Sequence, residues 1–106
     1  MSGVRRVAIT GIGCVTPIGT GADALWAGLR AERSAVTPIT RFDASIFRSR
    51  CNAEVADFDA TRWLDEKRVK RLDRFGALSV VSSLLALQDS GLDLAVADRD
   101  RAVRMM

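Results

Sequence analysis

The 106 residues contain no histidine and no tyrosine. Without an imidazole, the chain holds no histidine-dependent triad or dyad and no histidine metal ligand. Cysteine is nearly as scarce. Cys14 and Cys51 stand far apart in a chain with no secretion signal, so both thiols are expected reduced rather than joined in a disulfide framework. No apolar run approaches the ~20 residues that cross a bilayer. The opening MSGVRRVAIT has only a short apolar stretch before a glycine turn, so the expectation is a cytoplasmic protein with no membrane partner. Aromatics are 6% of the chain and do not interleave with its basic residues, and the net charge is only +3, from 16 Lys and Arg against 13 Asp and Glu. Both facts weigh against a small basic module binding nucleic acid or another anion.

Apolar residues are 48% and charged residues 27% of the sequence, the balance of a globular chain with a core. A chain this long makes at most one domain, and folding alone would bury roughly two-thirds of its unfolded surface. With no internal repeat, low-complexity tract or linker, the expected partition is one domain over residues 1–106, beginning near Val4 and unfinished at Met106.

Val7, Ala8 and Ile9 are followed by Thr10 and Gly11, the pattern of a strand buried on both faces in a parallel sheet. Gly11, Gly13, Pro17 and Gly19 then punctuate a loop in which Pro17 holds Thr16 away from helical angles. Thr20 is positioned to cap a helix over residues 22–31, with Asp23 in its first turn and Leu25, Trp26 and Leu29 as its buried stripe. Residues 33–59 read as an irregular surface excursion with a short strand near 52–55. A single long helix is expected over residues 65–90, stopped by Gly91. Its first part, DEKRVKRLDR, is charged on most faces, and its second, FGALSVVSSLLAL, is apolar or small all round. Such a helix needs neighbours on every side, more than one strand and one other helix supply, so further polypeptide is expected around it. Gly76, Ala77, Ser79, Ser82 and Ser83 suit close approach of another element. DLAVADRDRAVRMM then reads as a charged loop feeding a second strand, which would complete a βαβ unit.

The loop TGIGCVTPIG matches a dinucleotide fingerprint poorly, because Thr16 stands where the third glycine belongs and Pro17 prevents a helix opening from the turn; a structural turn is the better account. Cys14 lacks a base to make it nucleophilic and reads as a small buried core residue. Cys51 carries no stronger signal. Asp57, Asp59, Asp65 and Glu66 read as caps and solvated first-turn acids. The basic cluster is more informative. Lys67, Lys70, Arg71 and Arg74 recur at helical offsets of zero, three, four and seven, with Arg68 beside them. One helix face would present them to an acidic protein or a phosphate-bearing ligand. A solvated face partly neutralised by Asp65, Glu66 and Asp73 fits the spacing equally well.

Several ordered segments resemble the opening of an elongating β-ketoacyl-acyl carrier protein synthase, of the thiolase-like class. RRVAITGIGCVTPIGTGADALWAGLRAERSAVTPITRFDAS carries the T-G-x-G turn, the T-P-x-G loop, the W-x-x-L helix and the I-x-x-F-D element. CNAEVADFDATRWLDEKRVKRLDRF adds A-E-V, D-F and R-x-x-D-R-F, and LQDSGLDL resembles the family's helix end. The final VRMM departs from the pattern.

The resemblance implies an α/β chain, the N-terminal part of a thiolase-like layered fold: first strand, surface excursion, long helix and start of a second strand, incomplete as given. It implies decarboxylative Claisen condensation by the complete enzyme in fatty acid or polyketide synthesis, through a cysteine and two histidines beyond this region. Neither Cys14 nor Cys51 corresponds to the family's nucleophile, so no catalytic, cofactor or metal residue is assigned, and the chain alone is expected to be inactive. No cofactor is implied, since substrates ride on the phosphopantetheine of acyl carrier protein. The implied partners are that carrier and a second ketosynthase chain, as a homodimer when complete or a heterodimer. The family's carrier-docking helix corresponds to Lys67, Lys70 and Arg71, with Arg74 added by geometry alone. The alternative is a fragment of a non-catalytic chain-length-factor-type partner.

Overall fold

The computed structural model describes residues 3–97. Its first apolar run is not a buried strand. Residues 3–10 carry no strand assignment, and Val7 and Ile9 are 69% and 85% exposed. A strand of that pattern is stabilised by strands on either side and by layers above and below it, and among the described residues none pairs with it.

The turn that follows is well built. Thr16 and Gly19 exchange backbone hydrogen bonds at 3.0 and 3.1 Å, and the Thr16 hydroxyl also donates to the Gly19 carbonyl at 2.9 Å. A bridge between Val15 and Thr20 closes the loop around Pro17. Helix α1 then runs over Ala22–Arg30, close to the expected bounds. Its cap is Gly21, at φ 90°, with no side-chain cap bond from Thr20. The expected apolar stripe is also displaced. Trp26 and Leu29 remain more than half exposed, while Gly28 is the buried residue. A side chain at Gly28 would collide with Ile18, and Arg33 reaches back to the Ile18 carbonyl. α1 therefore packs on the T-P-x-G loop through its smallest residue.

The excursion is more regular than its composition suggests. Strands β1 (Val36–Pro38) and β2 (Cys51–Ala53) pair antiparallel, with Val36 opposite Ala53 and Pro38 opposite Cys51. Ile39 N–H extends the ladder to Arg50 O at 2.9 Å. The connecting loop is tied by an edge-on pair of Phe42 and Phe47, centroids 6.0 Å apart, and by Arg50 donating to Ser45 and Phe47 carbonyls. β1 carries a weak local signal because it is only three residues long and ends in Pro38, which has no N–H to give to a ladder.

The expected helix over residues 65–90 is two helices. α2 is Glu66–Arg71 and α3 is Arg74–Ser90. Leu72 adopts extended angles, and the Asp73 carboxylate accepts the Gly76 N–H at 2.6 Å. The break lets Leu72 turn inward while Asp73 satisfies a free donor at the new helix start. Gly91, at φ 65°, ends α3 in the left-handed region as expected.

The core is small. Ala60, Leu64, Ala77 and Val81 are buried together, flanked by partly buried Val15, Phe58, Trp63, Val69, Leu72, Leu84 and Leu85. The 3₁₀ turn Ala60–Arg62, capped by Asp59, brings Ala60 and Leu64 under α3. Gly11 and Gly13 lie so close to the α3 backbone at Ser82, Ala86 and Ser90 that a β-carbon on either would overlap it. The G-x-G element is thus a helix-packing surface, consistent with the expected structural turn, and Ser82 serves the close approach foreseen for it. Cys14 is half-buried rather than core, and Cys51 is exposed.

The chain carries 8972 Å² of accessible surface, whereas a compact monomer of its mass carries about 5,800 Å². The apolar part of that surplus includes Phe75, at 81% exposure near the start of α3. The expected βαβ unit is not present among the described residues, whose one sheet is the β1–β2 pair. The expected start of a second strand lies outside them. No helix among the described residues is long and apolar enough to cross a membrane.

Candidate functional site

The charged face of α2 is built on an inward apolar anchor. Val69 and Leu72 are half-buried against the small core, and Lys67, Lys70 and Arg71 are exposed. Asp65 begins the helix, its carboxylate accepting the Arg68 N–H at 2.9 Å and lying 3.3 Å from the Arg68 guanidinium. Arg68 is therefore partly neutralised. Among the described residues Lys67, Lys70 and Arg71 make no ion pair. Two of these three fall in the last turn of α2, where the carbonyl end of a helix favours positive charge. Three cations one turn apart, held by a structured helix and unpaired, form a local positive field suited to an anionic partner.

Arg74 does not belong to that face. The break at Leu72 and Asp73 takes it off the α2 helical register, so the offset of seven that grouped it with Lys67 no longer applies. Its guanidinium donates to the Val55 carbonyl and lies over the Phe58 ring, 5.9 Å from the centroid. Phe58 in turn stacks on Trp63, with centroids 6.2 Å apart. The residues that sequence reasoning missed here are Asp73 and this Val55–Phe58 seat. An Asp directly before the apolar run, three residues ahead of Gly76, was the legible signal for the first. The second depends on a pairing across nineteen residues, for which the sequence has no local mark.

Of the acids, Asp59 and Asp65 are caps, Glu66 lies in the first turn of α2 and Asp57 is exposed. Asp59 accepts from Thr61 N–H and hydroxyl at 3.0 and 2.6 Å, and these bonds hold its carboxyl below the ordinary value. Asp59, Asp73 and Arg74 line a groove with Phe58, Val69 and Leu72, on the inward side of α2 and away from its three free cations. Among the described residues no set of three or more Cys, Asp or Glu side chains is gathered as metal ligands would be.

The family model described as the β-ketoacyl synthase N-terminal domain matches residues 4–106. A 3-oxoacyl-[acyl-carrier-protein] synthase 2 from Synechocystis is 48% identical over 88 residues, covering 83% of this chain and 21% of the relative. A granaticin polyketide β-ketoacyl synthase 1 from Streptomyces violaceoruber is 45% identical over 98 residues, covering 92% of this chain and 23% of its own length. Among solved structures, the ishigamide ketosynthase/chain length factor superposes with a TM-score of 0.74 at 42% identity, over 84% of this chain and 22% of that one. The chain thus spans about a fifth of the length of the curated relatives it matches.

Proposed function

Because the chain belongs to the β-ketoacyl synthase family, matching its N-terminal domain, we propose that it supplies the part of such an enzyme that receives acyl carrier protein. The single observation that carries this reading is the outward, unpaired triplet Lys67, Lys70 and Arg71 on α2. An acidic carrier meeting those cations gains encounter rate and orientation before any substrate contact forms. The complete protein would elongate acyl chains by decarboxylative condensation with malonyl-carrier, in fatty acid or polyketide synthesis. Its nucleophile and histidines lie beyond these residues, substrates arrive on phosphopantetheine, and no separate cofactor is needed. In this reading the domain is the N-terminal part of a thiolase-like layered fold, and the 106 residues alone perform no condensation.

Charge reversal at Lys67, Lys70 and Arg71 is expected to weaken binding of acyl carrier protein at low salt by about tenfold or more, since opposed charges at an interface are replaced by like ones. Titration by calorimetry or fluorescence anisotropy measures it, and an unchanged affinity removes the docking assignment. A second reading, a chain-length-factor-type partner, is favoured by the ketosynthase/chain length factor neighbour. The homodimer of the first reading and the ketosynthase heterodimer of the second are then both open to the complete protein. Covalent capture of an acyl group from the carrier by the complete protein separates them, because only the first has the nucleophile.

A further inference from the structure

We infer that Arg74 is a positioning residue for the α2 face rather than one of its docking cations, an inference that rests on the docking reading above. Arg74 stands at the first position of α3, immediately after the Asp73 cap. From there its side chain crosses to the segment that leaves β2, donating to Val55 O and covering the face of Phe58. Phe58 stacks on Trp63, and both pack on the cluster of Ala60, Leu64, Ala77 and Val81. Val69 and Leu72 rest against the same cluster, so the platform beneath α2 is the connector that Arg74 clamps to α3. The direction in which Lys67, Lys70 and Arg71 project follows from that clamp. A guanidinium suits the task, because it lies flat on a ring while donating in its own plane, whereas an ammonium is a compact point charge on a flexible stem.

The test compares Arg74→Ala, Arg74→Lys and Lys70→Ala in the full chain. Affinity for a purified bacterial acyl carrier protein is measured across a salt series, and amide exchange is followed over residues 55–63. Arg74→Ala is expected to bind about fivefold more weakly, the loss of one charged hydrogen bond and one exposed ring contact. The slope of its affinity against salt stays that of the parent, and exchange over residues 55–63 becomes faster. Arg74→Lys keeps the charge and behaves as Arg74→Ala does. Lys70→Ala, by contrast, flattens the salt dependence and leaves exchange over residues 55–63 unaltered. The inference is overturned if Arg74→Ala flattens the salt slope as Lys70→Ala does, or if Arg74→Lys binds like the parent chain. If Lys70→Ala changes neither affinity nor slope, the docking reading itself falls and takes the role of Arg74 with it. If Lys70→Ala weakens binding while both Arg74 variants match the parent in affinity and exchange, docking stands and only the positioning role is lost.

Discussion

Residues 58–90 and residues 4–57 differ in how much of their structure they secure for themselves. In the later stretch every helical element begins at a carboxylate cap: Asp59 for the 3₁₀ turn, Asp65 for α2 and Asp73 for α3. The apolar residues between those caps converge on Ala60, Leu64, Ala77 and Val81. In the earlier stretch α1 has no side-chain cap, the buried residues are Gly28 and Ala44, and Val4, Val7 and Ile9 lie open. Apolar content does not separate the two. Caps act within four residues of themselves, whereas a strand such as residues 7–9 gains stability only from strands beside it. Local polar signals therefore survive without neighbours, and a central-strand pattern does not.

The sharpest way to break this contrast is to place one charge in each stretch. Val81 is fully buried, so Val81→Asp is expected to cost more than about 4 kcal/mol, because an unpaired carboxylate would have to be desolvated. Val7→Asp, at an exposed site, is expected to change stability by less than about 0.5 kcal/mol. Urea titration followed by far-ultraviolet circular dichroism measures both. Equal losses would mean that the first apolar run is buried in solution, and the two stretches would no longer differ.

Gly13 tests the seam between them. A β-carbon there meets the α3 backbone at Ser82 and Ala86 rather than a side chain that could move aside, so Gly13→Ala is expected to cost about 1–3 kcal/mol from overpacking. Gly3→Ala, in open space, is the control. A smaller step concerns the caps. Asp73→Ala is expected to remove about 1 kcal/mol and fray the start of α3, while Thr20→Ala leaves α1 unaffected, since no threonine cap exists there. A loss of α1 helicity in Thr20→Ala would restore the cap that the sequence suggested.

The same division explains what could be read from the residues alone. The bounds of α1, the Gly91 stop and the roles of Asp59 and Asp65 were legible because each rests on chemistry within one turn. The split at Leu72 was not read, because the run from Asp65 to Ser90 has no proline and its periodicity continues through Asp73. The packing of Leu72 against the core cluster, a tertiary effect, decides for a break together with the Asp73 cap. The basic triplet survived the split because Lys67, Lys70 and Arg71 all precede it. Arg74 falls outside α2 for the same reason, since an offset of seven carries meaning only along one continuous helix. Of the stripe expected at Leu25, Trp26 and Leu29, Leu25 is half-buried while Trp26 and Leu29 lie exposed, because α1 meets its neighbour loop through Gly28, and a glycine leaves no mark in an apolar pattern.

The smallest expected effect is on acid stability, and it reaches both stretches. In the earlier one, Glu54 accepts the Thr40 hydroxyl and N–H at 2.6 and 3.1 Å, and Asp43 accepts the Ser45 N–H at 3.0 Å; in the later one, Asp59 accepts from Thr61. These hydrogen bonds favour the ionised forms, and all three carboxyls titrate below their ordinary values. A lowered folded-state pKa gives a contribution that is complete above the unfolded value, near pH 4, and is lost as pH falls through the folded value. Stability should therefore be flat from about pH 8 to about pH 6 as far as these groups decide it, and should fall below about pH 4. Asp43 and Asp59 are exposed and Glu54 is half-buried at the surface, so solvent keeps each contribution small. Thr61→Ala is expected to raise the Asp59 pKa toward that of a free aspartate, and Thr40→Ala to do the same for Glu54 while loosening exchange at β2. Carbon-detected NMR titration of the carboxyls reads both shifts. If Thr40→Ala moved Glu54 without any change in β2 exchange, the hairpin would be held by its backbone ladder alone, and the earlier stretch would depend less on side-chain ties than its Thr40–Glu54 pair indicates.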